Sequence, residues 1–229
     1  MNKKPFFKAT AIMLSGLLML LVYSGAAIPS AQAVNGKKPV VTTHTYKNVK
    51  ELKYPQVKNV GSRSLQNKIN KDFKNYIEQS YNYKDYLKNK KDGQQHGYQT
   101  AYQTSFDVKY LTGEKISILT KNYVYSGGAH GNTAVRSFNY DLKSKKRVYL
   151  TDVLNKKSKI DKTRTYIYKY IQKHQDTFFP DVKKKDIVLL KNTAFYFTKD
   201  GIAIVFQQYD VAPYVAGNPV VAVPKTVYQ

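Results

Sequence analysis

The chain has 229 residues, and its 38 lysines and arginines against 15 acidic residues give a formal net charge of +23. Cysteine is absent, which excludes disulfides and thiolate metal sites. The length suits either one domain or two intimately packed halves, at about 41–125 and 126–229, with room for a substantial core.

The N-terminal segment 1–33 has the order of a secretory signal peptide. Three lysines among the first eight residues precede an uncharged stretch with an apolar centre. Ala31-Gln32-Ala33 then supplies the small residues that a signal peptidase accepts. We expect cleavage after Ala33 to release 34–229 as an extracellular domain with a charge of +20. An uncleaved anchor is the alternative, because about 20 uncharged residues suffice to cross a bilayer.

Two segments precede the first helix. Val41–Tyr46 is dominated by β-branched and aromatic residues, and this composition predicts a first strand. Residues 51–61 contain Tyr54-Pro55 and Gly61, which favour an extended connection.

An amphipathic helix follows. Ser62 or Ser64 can cap it, and the pattern predicts that it runs to about Ser80. Its apolar face must pack on another element, and a sheet is the expected partner. That face consists of Leu65, Ile69, Phe73, Tyr76 and Ile77. Residues 81–98 are polar and tyrosine-rich, and a helical extension, a surface loop and an insertion all stay open for them.

From Thr100 the apolar residues alternate with polar ones, which is the period of a half-buried strand. Turn residues at Thr112-Gly113-Glu114 reverse the chain, so a hairpin is expected. The pattern predicts an antiparallel meander with strands at about 100–110, 116–125, 134–142 and 147–150.

The C-terminal part begins with a second helix near Ser158, where Asp161 is expected to bond back to free backbone amides. A short third helix is predicted at 184–190. Lys199-Asp200-Gly201 joins two strands in a hairpin, and Pro219–Val223 is the final strand. The element order predicts an α+β fold, with two to three helices packed on one side of antiparallel sheet.

Catalytic signatures are missing from the sequence. No nucleophile elbow, phosphate loop, dinucleotide fingerprint or paired metal-binding histidines occur, so we expect no enzyme activity, no metal and no cofactor. Asp107 and Asp152 are the acids that merit inspection in the structure.

A glycine-rich motif at 123–132 is the most specific local feature. Its glycines permit backbone angles closed to other residues and let another surface approach the backbone. A tight turn with a buried, backbone-bonded histidine is the structural alternative. The predicted binding residues here are Tyr123, Tyr125, Ser126, Gly127, Gly128 and His130.

A second loop, 206–217, combines aromatic residues with Pro213 and Gly217. Tyrosine suits recognition because it offers a large area, few rotatable bonds and a hydroxyl. We therefore predict that Tyr209, Pro213 and Tyr214 contribute to binding, against the alternative that the loop folds back on its own sheet.

The order of several motifs resembles that of the extracellular module of RsiV anti-sigma factors, which is also found ahead of the catalytic domain in PdaC-type peptidoglycan deacetylases. In RsiV-like proteins this module binds lysozyme, and the corresponding contact residues would be Ser126, Pro213 and Tyr214. Only eight residues precede the apolar stretch and no deacetylase domain follows, so neither sigma-factor sequestration nor deacetylation is expected to transfer. The motifs are Tyr54-Pro55, Ile69-Asn70, Gly127–Gly131, Asn139–Leu142, Asp200–Ile202, Tyr209, Pro213–Gly217 and Val223-Pro224.

These observations predict a secreted, non-catalytic module at the cell envelope. The positive charge favours anionic wall polymers such as teichoic acid as partners, with peptidoglycan contacted through tyrosines. Lysozyme is the alternative partner, although two basic surfaces repel each other; an accessory part in peptidoglycan deacetylation is a further one. No nucleic-acid motif is present, and membrane contact is expected only through the signal peptide.

Overall fold

The computed structural model describes residues 37–89 and 99–229. The predicted signal peptide at 1–33 lies outside the described residues, as do positions 90–98 of the segment that the sequence left open. Over the described ranges, no helix is both long enough and apolar enough to cross a membrane.

Six strands form the larger sheet in sequence order, and every neighbouring pair is antiparallel except β2 and β3. The parallel pair requires a crossover, and a 27-residue helix, α1, supplies it. The meander predicted from Thr100 is confirmed. The elements are β1 (Val40–Tyr46), β2 (Val49–Lys58), α1 (Arg63–Asn89), β3 (Ala101–Leu111), β4 (Lys115–Tyr125), β5 (Asn132–Asp141) and β6 (Lys146–Val148).

Strand β2 corrects the prediction of a mere extended connection at 51–61. Pro55 is paired with Thr43 of β1, so proline does not exclude this position from a sheet. Strand β2 pairs with β3 only through Leu52 and Thr104, so the rest of that edge of β2 has no backbone partner in β3. Asn70 of α1 fills the gap: its amide accepts from the Val57 N–H at 2.7 Å and donates to the Val57 carbonyl at 3.0 Å.

Helix α1 packs its predicted apolar face against the larger sheet. Ser62 Oγ accepts a hydrogen bond from the Leu65 N–H at 3.2 Å, so Ser62 rather than Ser64 supplies the cap. The helix continues to Asn89, beyond the predicted end at Ser80, because Leu87 is buried and Tyr81 packs edge-on against Tyr46. Residues 81–89 are therefore a helical extension.

The smaller sheet has three antiparallel strands in the order β7-β8-β9. Helix α3 confirms the second helix predicted near Ser158, and it buries Ile167 and Ile171 in the adjoining core. The remaining elements are α2 (Leu150–Val153), α3 (Lys157–Gln172), β7 (Phe195–Phe197), β8 (Gly201–Val205), β9 (Val220–Pro224) and α4 (Lys225–Tyr228), with 3-10 turns at Lys184–Asp186 and Tyr214–Ala216.

Two local predictions in this part are wrong. The third helix is only the turn Lys184–Asp186, because the residues after it expose Val188 and Leu190 in an extended segment instead of presenting one apolar face. Asp161 does not cap α3, since its carboxylate accepts from Arg164 Nη1 at 2.7 Å and no side chain caps the helix.

Buried polar side chains join the two sheets. Asn139 Nδ2 donates to the Phe195 carbonyl at 2.9 Å, and the Phe197 N–H donates to Ser117 Oγ at 2.9 Å. The chain passes from one sheet to the other after β6, whereas the suggested division at 125/126 falls between β4 and β5, which pair with each other. Helices packed on a mostly antiparallel six-stranded sheet and an antiparallel three-stranded sheet confirm the α+β class.

Candidate functional site

The two predicted loops meet at the outer edge of β5. At this edge, the backbone groups of Thr133 and Val135 have no partner strand, because β6 pairs only with Asn139–Asp141. Gln207 fills the place of a strand partner at Val135. Its Oε1 accepts from the Val135 N–H at 2.9 Å, and its Nε2 donates to the Val135 carbonyl at 2.9 Å.

Two further amides extend this contact along β5. The Thr133 N–H donates to Gln208 Oε1, and Asn218 Nδ2 donates to the Thr133 carbonyl at 3.3 Å. Asn218 also donates to the Phe206 carbonyl at 3.1 Å, which ties the end of its own loop to the beginning. The loop 206–218 is therefore held against β5 by side chains, next to the glycine-rich turn that precedes β5.

The contact brings His130 of the glycine-rich loop onto the aromatic residues of the second loop. Its ring stacks on Tyr214 with a centroid distance of 4.0 Å and an interplanar angle of 26°. The ring centroids of Tyr209 and His130 are 6.4 Å apart, and the Tyr209 hydroxyl is 3.3 Å from His130 Nε2. The Tyr214 hydroxyl donates to the Gly131 carbonyl at 2.9 Å, so the stack is fixed at a second point.

The outer end of this cluster is open to solvent. Tyr209 is 49 % exposed and Val215 is 91 % exposed. We call His130, Tyr209, Tyr214 and Val215 the aromatic surface. Pro213 precedes the 3-10 turn Tyr214–Ala216, and Gly217 ends it with φ +61°. The loop thus lies against β5 of the larger sheet rather than on the smaller sheet that contains β8 and β9, so it does not fold back on its own sheet, and it presents aromatic side chains outward.

The glycine-rich turn positions the other predicted residues. Gly127 and Gly128 have φ of +99° and +100°, which explains the requirement for glycine there. The Tyr125 hydroxyl donates to the Gly128 carbonyl at 2.9 Å and closes the turn, while Ser126 is exposed. His130 is exposed rather than buried, although its Nδ1 lies 3.2 Å from the Gly131 carbonyl, so the structural alternative is right about a backbone-bonded histidine in a tight turn and wrong about its burial.

Tyr123 supports the turn from β4 rather than joining the stack. A Cβ on Gly131 would lie 2.5 Å from the Tyr123 ring, so a larger residue there would require the ring to move, next to the carbonyl that the Tyr214 hydroxyl contacts. Tyr123 and Tyr125 are both half-buried. The nine predicted residues therefore divide into an exposed aromatic group and a group that shapes the turn beneath it.

The two inspected acids have structural partners. Asp107 accepts ion pairs from Lys109 at 3.0 Å and Lys121 at 2.9 Å. Burial opposes ionisation, but the two lysines outweigh it and hold the pKa of Asp107 below its ordinary value. Asp152 accepts from the Tyr149 N–H at 2.8 Å at the start of α2. Among the side chains of 37–89 and 99–229, no three acids or histidines gather in a group that could hold a metal ion.

Sequence reasoning missed Gln207, Gln208 and Asn218, which hold the two loops together. A pair of glutamines directly after a buried strand carries no motif, because a side-chain amide can bond anywhere that a backbone edge is free. The edge itself becomes visible only when β6 is seen to be too short to cover β5.

Two family models match the chain in succession. The model described as Deacetylase PdaC matches residues 42–133, and the model of a protein of unknown function, DUF3298, matches residues 146–226. The first match covers β1 through β4 and the glycine-rich turn, and the second covers β6 through β9.

Two proteins of Bacillus subtilis (strain 168) are similar in sequence. The uncharacterized protein YxiT is 49 % identical over 61 residues, which are 27 % of this chain and 75 % of YxiT. Peptidoglycan-N-acetylmuramic acid deacetylase PdaC is 25 % identical over 126 residues, which are 53 % of this chain and 27 % of the deacetylase. The chain thus spans about a quarter of that deacetylase.

Two solved structures of DUF3298 proteins are also similar. The protein from Bacteroides fragilis NCTC 9343 has a TM-score of 0.49 and 18 % identity, over 82 % of this chain and 88 % of its own. The protein from Pseudomonas aeruginosa PAO1 has a TM-score of 0.47 and 12 % identity, over 85 % and 94 %. On the two family models and the sequence relatives, this chain belongs to the PdaC-type/DUF3298 module family.

Proposed function

We propose that this chain is a secreted, non-catalytic binding module of the cell envelope that contacts wall polymer through its aromatic surface. The observation that carries the proposal is the meeting of His130, Tyr209 and Tyr214 across two loops, where His130 and Tyr209 are exposed and Tyr214 is half-buried. Flat aromatic faces stack on the apolar faces of sugar rings, and the hydroxyls and the imidazole supply hydrogen bonds at the rim.

The backbone of Tyr209 supports a binding role for its side chain. Its φ of +67° lies in the left-handed region, which costs a residue with a Cβ about 1–2 kcal/mol. Glycine or asparagine would occupy this position at lower cost. A large, half-exposed tyrosine held there by the surrounding loop is therefore better explained by what it contacts than by stability.

Charge supports the same class of partner. The chain carries a formal charge of +23, and such a field raises the concentration of polyanions near the surface. Teichoic acids and peptidoglycan carboxylates are polyanions of the envelope. The relative PdaC carries peptidoglycan N-acetylmuramic acid in its name, which supports peptidoglycan as the sugar polymer.

Co-sedimentation with purified walls tests the proposal. Tyr209→Ala should lower the bound fraction several-fold, because it removes a ring of the aromatic surface that is 49 % exposed. The matched control is Tyr86→Ala, which removes a tyrosine that is 57 % exposed on α1. Equal binding by the two variants would remove the aromatic surface from the mechanism.

Walls stripped of teichoic acid separate the two contributions. Electrostatic attraction should fall with the phosphates and with added salt, whereas stacking on peptidoglycan should persist. If stripped walls retain no protein at all, the polymer bound is teichoic acid alone and the aromatic surface does not bind peptidoglycan.

Lysozyme is the alternative ligand implied by the resemblance to the RsiV module, with Ser126, Pro213 and Tyr214 as contacts. The exposure of Ser126 and the half-exposure of Tyr214 support this option, and the like charge of the two proteins opposes it. Calorimetric titration with lysozyme at moderate salt distinguishes the two, because a packed protein interface weakens less with salt than polyanion binding does.

A further inference from the structure

A concave surface, distinct from the aromatic surface, lies further along the edge of β5, between the segment held by Gln207 and the short strand β6. It is a cavity of about 370 Å³ at the junction of the two sheets, and none of its lining residues is acidic. Three cations line it, each from a different segment: Arg136 of β5, Arg147 of β6 and Lys191 of the loop before β7. We call it the cationic cleft.

Aromatic rings hold Arg147 in place. Its guanidinium carbon lies 4.3 Å from the centre of the Phe138 ring and 5.3 Å from that of Tyr149. Its nearest acid is Asp72, whose carboxylate is 3.7 Å from Nη1 and also accepts from the Tyr140 hydroxyl at 2.7 Å. The side chain of Arg147 is only 22 % exposed, so its position is well defined.

Most donors of Arg147 are nevertheless uncommitted. At 3.7 Å the contact with Asp72 is an ion pair but too long for a hydrogen bond. The hydrogen bond recorded for this guanidinium runs from Nη2 to the Ser137 carbonyl at 3.4 Å. A guanidinium has five N–H donors, so this one hydrogen bond leaves further donors on a residue that lines the cleft.

The other two cations leave the cleft positively charged. Lys191 Nζ lies 4.6 Å from the Tyr149 ring centre, on a ring that Arg147 also contacts. Within the described part of the chain, neither Lys191 nor Arg136 has an acidic partner in an ion pair. Arg147 alone of the three has an acidic neighbour among the described residues, Asp72 at 3.7 Å, so the cleft keeps a positive charge that the fold holds in place.

We propose that the cationic cleft binds a phosphate group, as an ester or diester. An arginine fork matches the oxygens of phosphate, the two further cations offset its second charge, and Asn192 and Thr193 add polar groups to the wall. The cleft is separate from the aromatic surface and does not depend on the function proposed for it. The phosphate can belong to a soluble ester or to a lipid head group, and one experiment distinguishes them.

The test is titration of the purified protein with glycerol 3-phosphate, followed by calorimetry and by NMR of the arginine side chains. The wild type should bind saturably, with shifts centred on Arg136, Arg147 and Lys191. The double variant Arg136→Gln/Lys191→Gln should bind about tenfold more weakly, since two charge-assisted contacts are lost. Arg147→Lys keeps the charge but removes the planar fork, so it should also weaken binding.

The matched control is Arg63→Gln/Lys68→Gln, which removes the same charges from exposed positions of α1 outside the cleft. Equal weakening in the control, or no saturable binding by the wild type, would overturn the proposal. Tyr209→Ala should leave the titration unchanged, so the cleft and the aromatic surface can fail separately. Flotation with phosphatidylglycerol vesicles distinguishes the two sources of phosphate. If the protein floats with the vesicles and this depends on Arg136 and Lys191, the phosphate belongs to a lipid; if the protein does not float, it belongs to a soluble ester.

Discussion

The protein stacks a histidine on a tyrosine in two places, with nearly the same geometry. His174 lies on Tyr170 at 3.9 Å and 20°, and His130 lies on Tyr214 at 4.0 Å and 26°. The first pair is four residues apart at the end of α3, and the second joins two loops that are distant in sequence. The same contact is therefore produced by local geometry in one region and by tertiary structure in the other.

The comparison shows what each stack depends on. Tyr170 lies in the last turn of α3 and His174 in the turn that follows it, where the His174 N–H donates to the Ile171 carbonyl at 3.0 Å and Nδ1 lies 2.7 Å from the Tyr170 carbonyl, so this pair is formed within one short segment. The pair of His130 and Tyr214 exists only while Gln207 and its neighbours hold the second loop on β5. Variants that release the loop should separate the two stacks.

Gln207→Ala should have the largest effect on the comparison. It leaves both backbone groups of Val135 without partners, at an expected loss of about 2 kcal/mol in the free energy of unfolding. The ring-current shift of His130 should disappear from the proton NMR spectrum, while that of His174 stays. Gln207→Glu is the graded control, because it keeps the acceptor for the Val135 N–H and loses the donor. Loss of both histidine shifts would show that the stacks are not independent.

Gly131→Ala tests the support beneath the long-range stack. The added methyl would overlap the Tyr123 ring, so the ring must move, at an expected loss of about 1–2 kcal/mol by chemical denaturation. Gly113→Ala is the control, since a Cβ there meets nothing within 4 Å. Equal stability of the two variants would mean that Tyr123 yields without cost and does not support the turn.

His174→Ala removes the local stack and the contact with the Tyr170 carbonyl. We expect a loss of about 1 kcal/mol in stability, because one hydrogen bond and one ring contact disappear. Wall co-sedimentation should not change, since the ring of His174 contacts Tyr170 and takes no part in the aromatic surface. A drop in binding at unchanged stability would argue that the end of α3 also takes part in recognition.

His130→Ala should have the smallest effect on stability, about 0.5 kcal/mol, because its ring is exposed. Binding to walls should fall nonetheless, since the aromatic surface loses its central ring. Thermal denaturation and co-sedimentation of this variant beside His174→Ala give the sharpest contrast between the two stacks. The proposed function predicts that His174→Ala loses more stability than His130→Ala and that His130→Ala loses more wall binding than His174→Ala.

Most of the fold could be predicted because its signals are local. The apolar face of α1, the alternation along β3 to β5 and the turn at Lys199-Asp200-Gly201 each act over a few residues and each led to the observed element. The prediction failed at β2, because Pro55 is tolerated only where the β3 pairing has ended and Asn70 has taken over. That exception depends on a contact between a strand and a helix.

The candidate site was predictable in composition but not in arrangement. Glycines 127 and 128 mark a turn with positive φ, and tyrosines mark a recognition loop, so both loops were found from the sequence. That His130 stacks on Tyr214 depends on Gln207, Gln208 and Asn218, whose residue types carry no such signal. The cationic cleft was equally hidden, because Arg136, Arg147 and Lys191 are gathered by the pairing of β5 and β6 and by the loop before β7.

The edge of β5 also bears on how the protein behaves at high concentration. An uncovered strand edge is a template on which a second molecule can add its own strand, and chains of such additions lead to aggregation. The amides of Gln207 and Asn218 occupy the backbone groups of Val135 and Thr133 but repeat no ladder that another copy could continue. Side chains thereby blunt the edge, and the loop that carries them occupies the place that the strand of a second molecule would take.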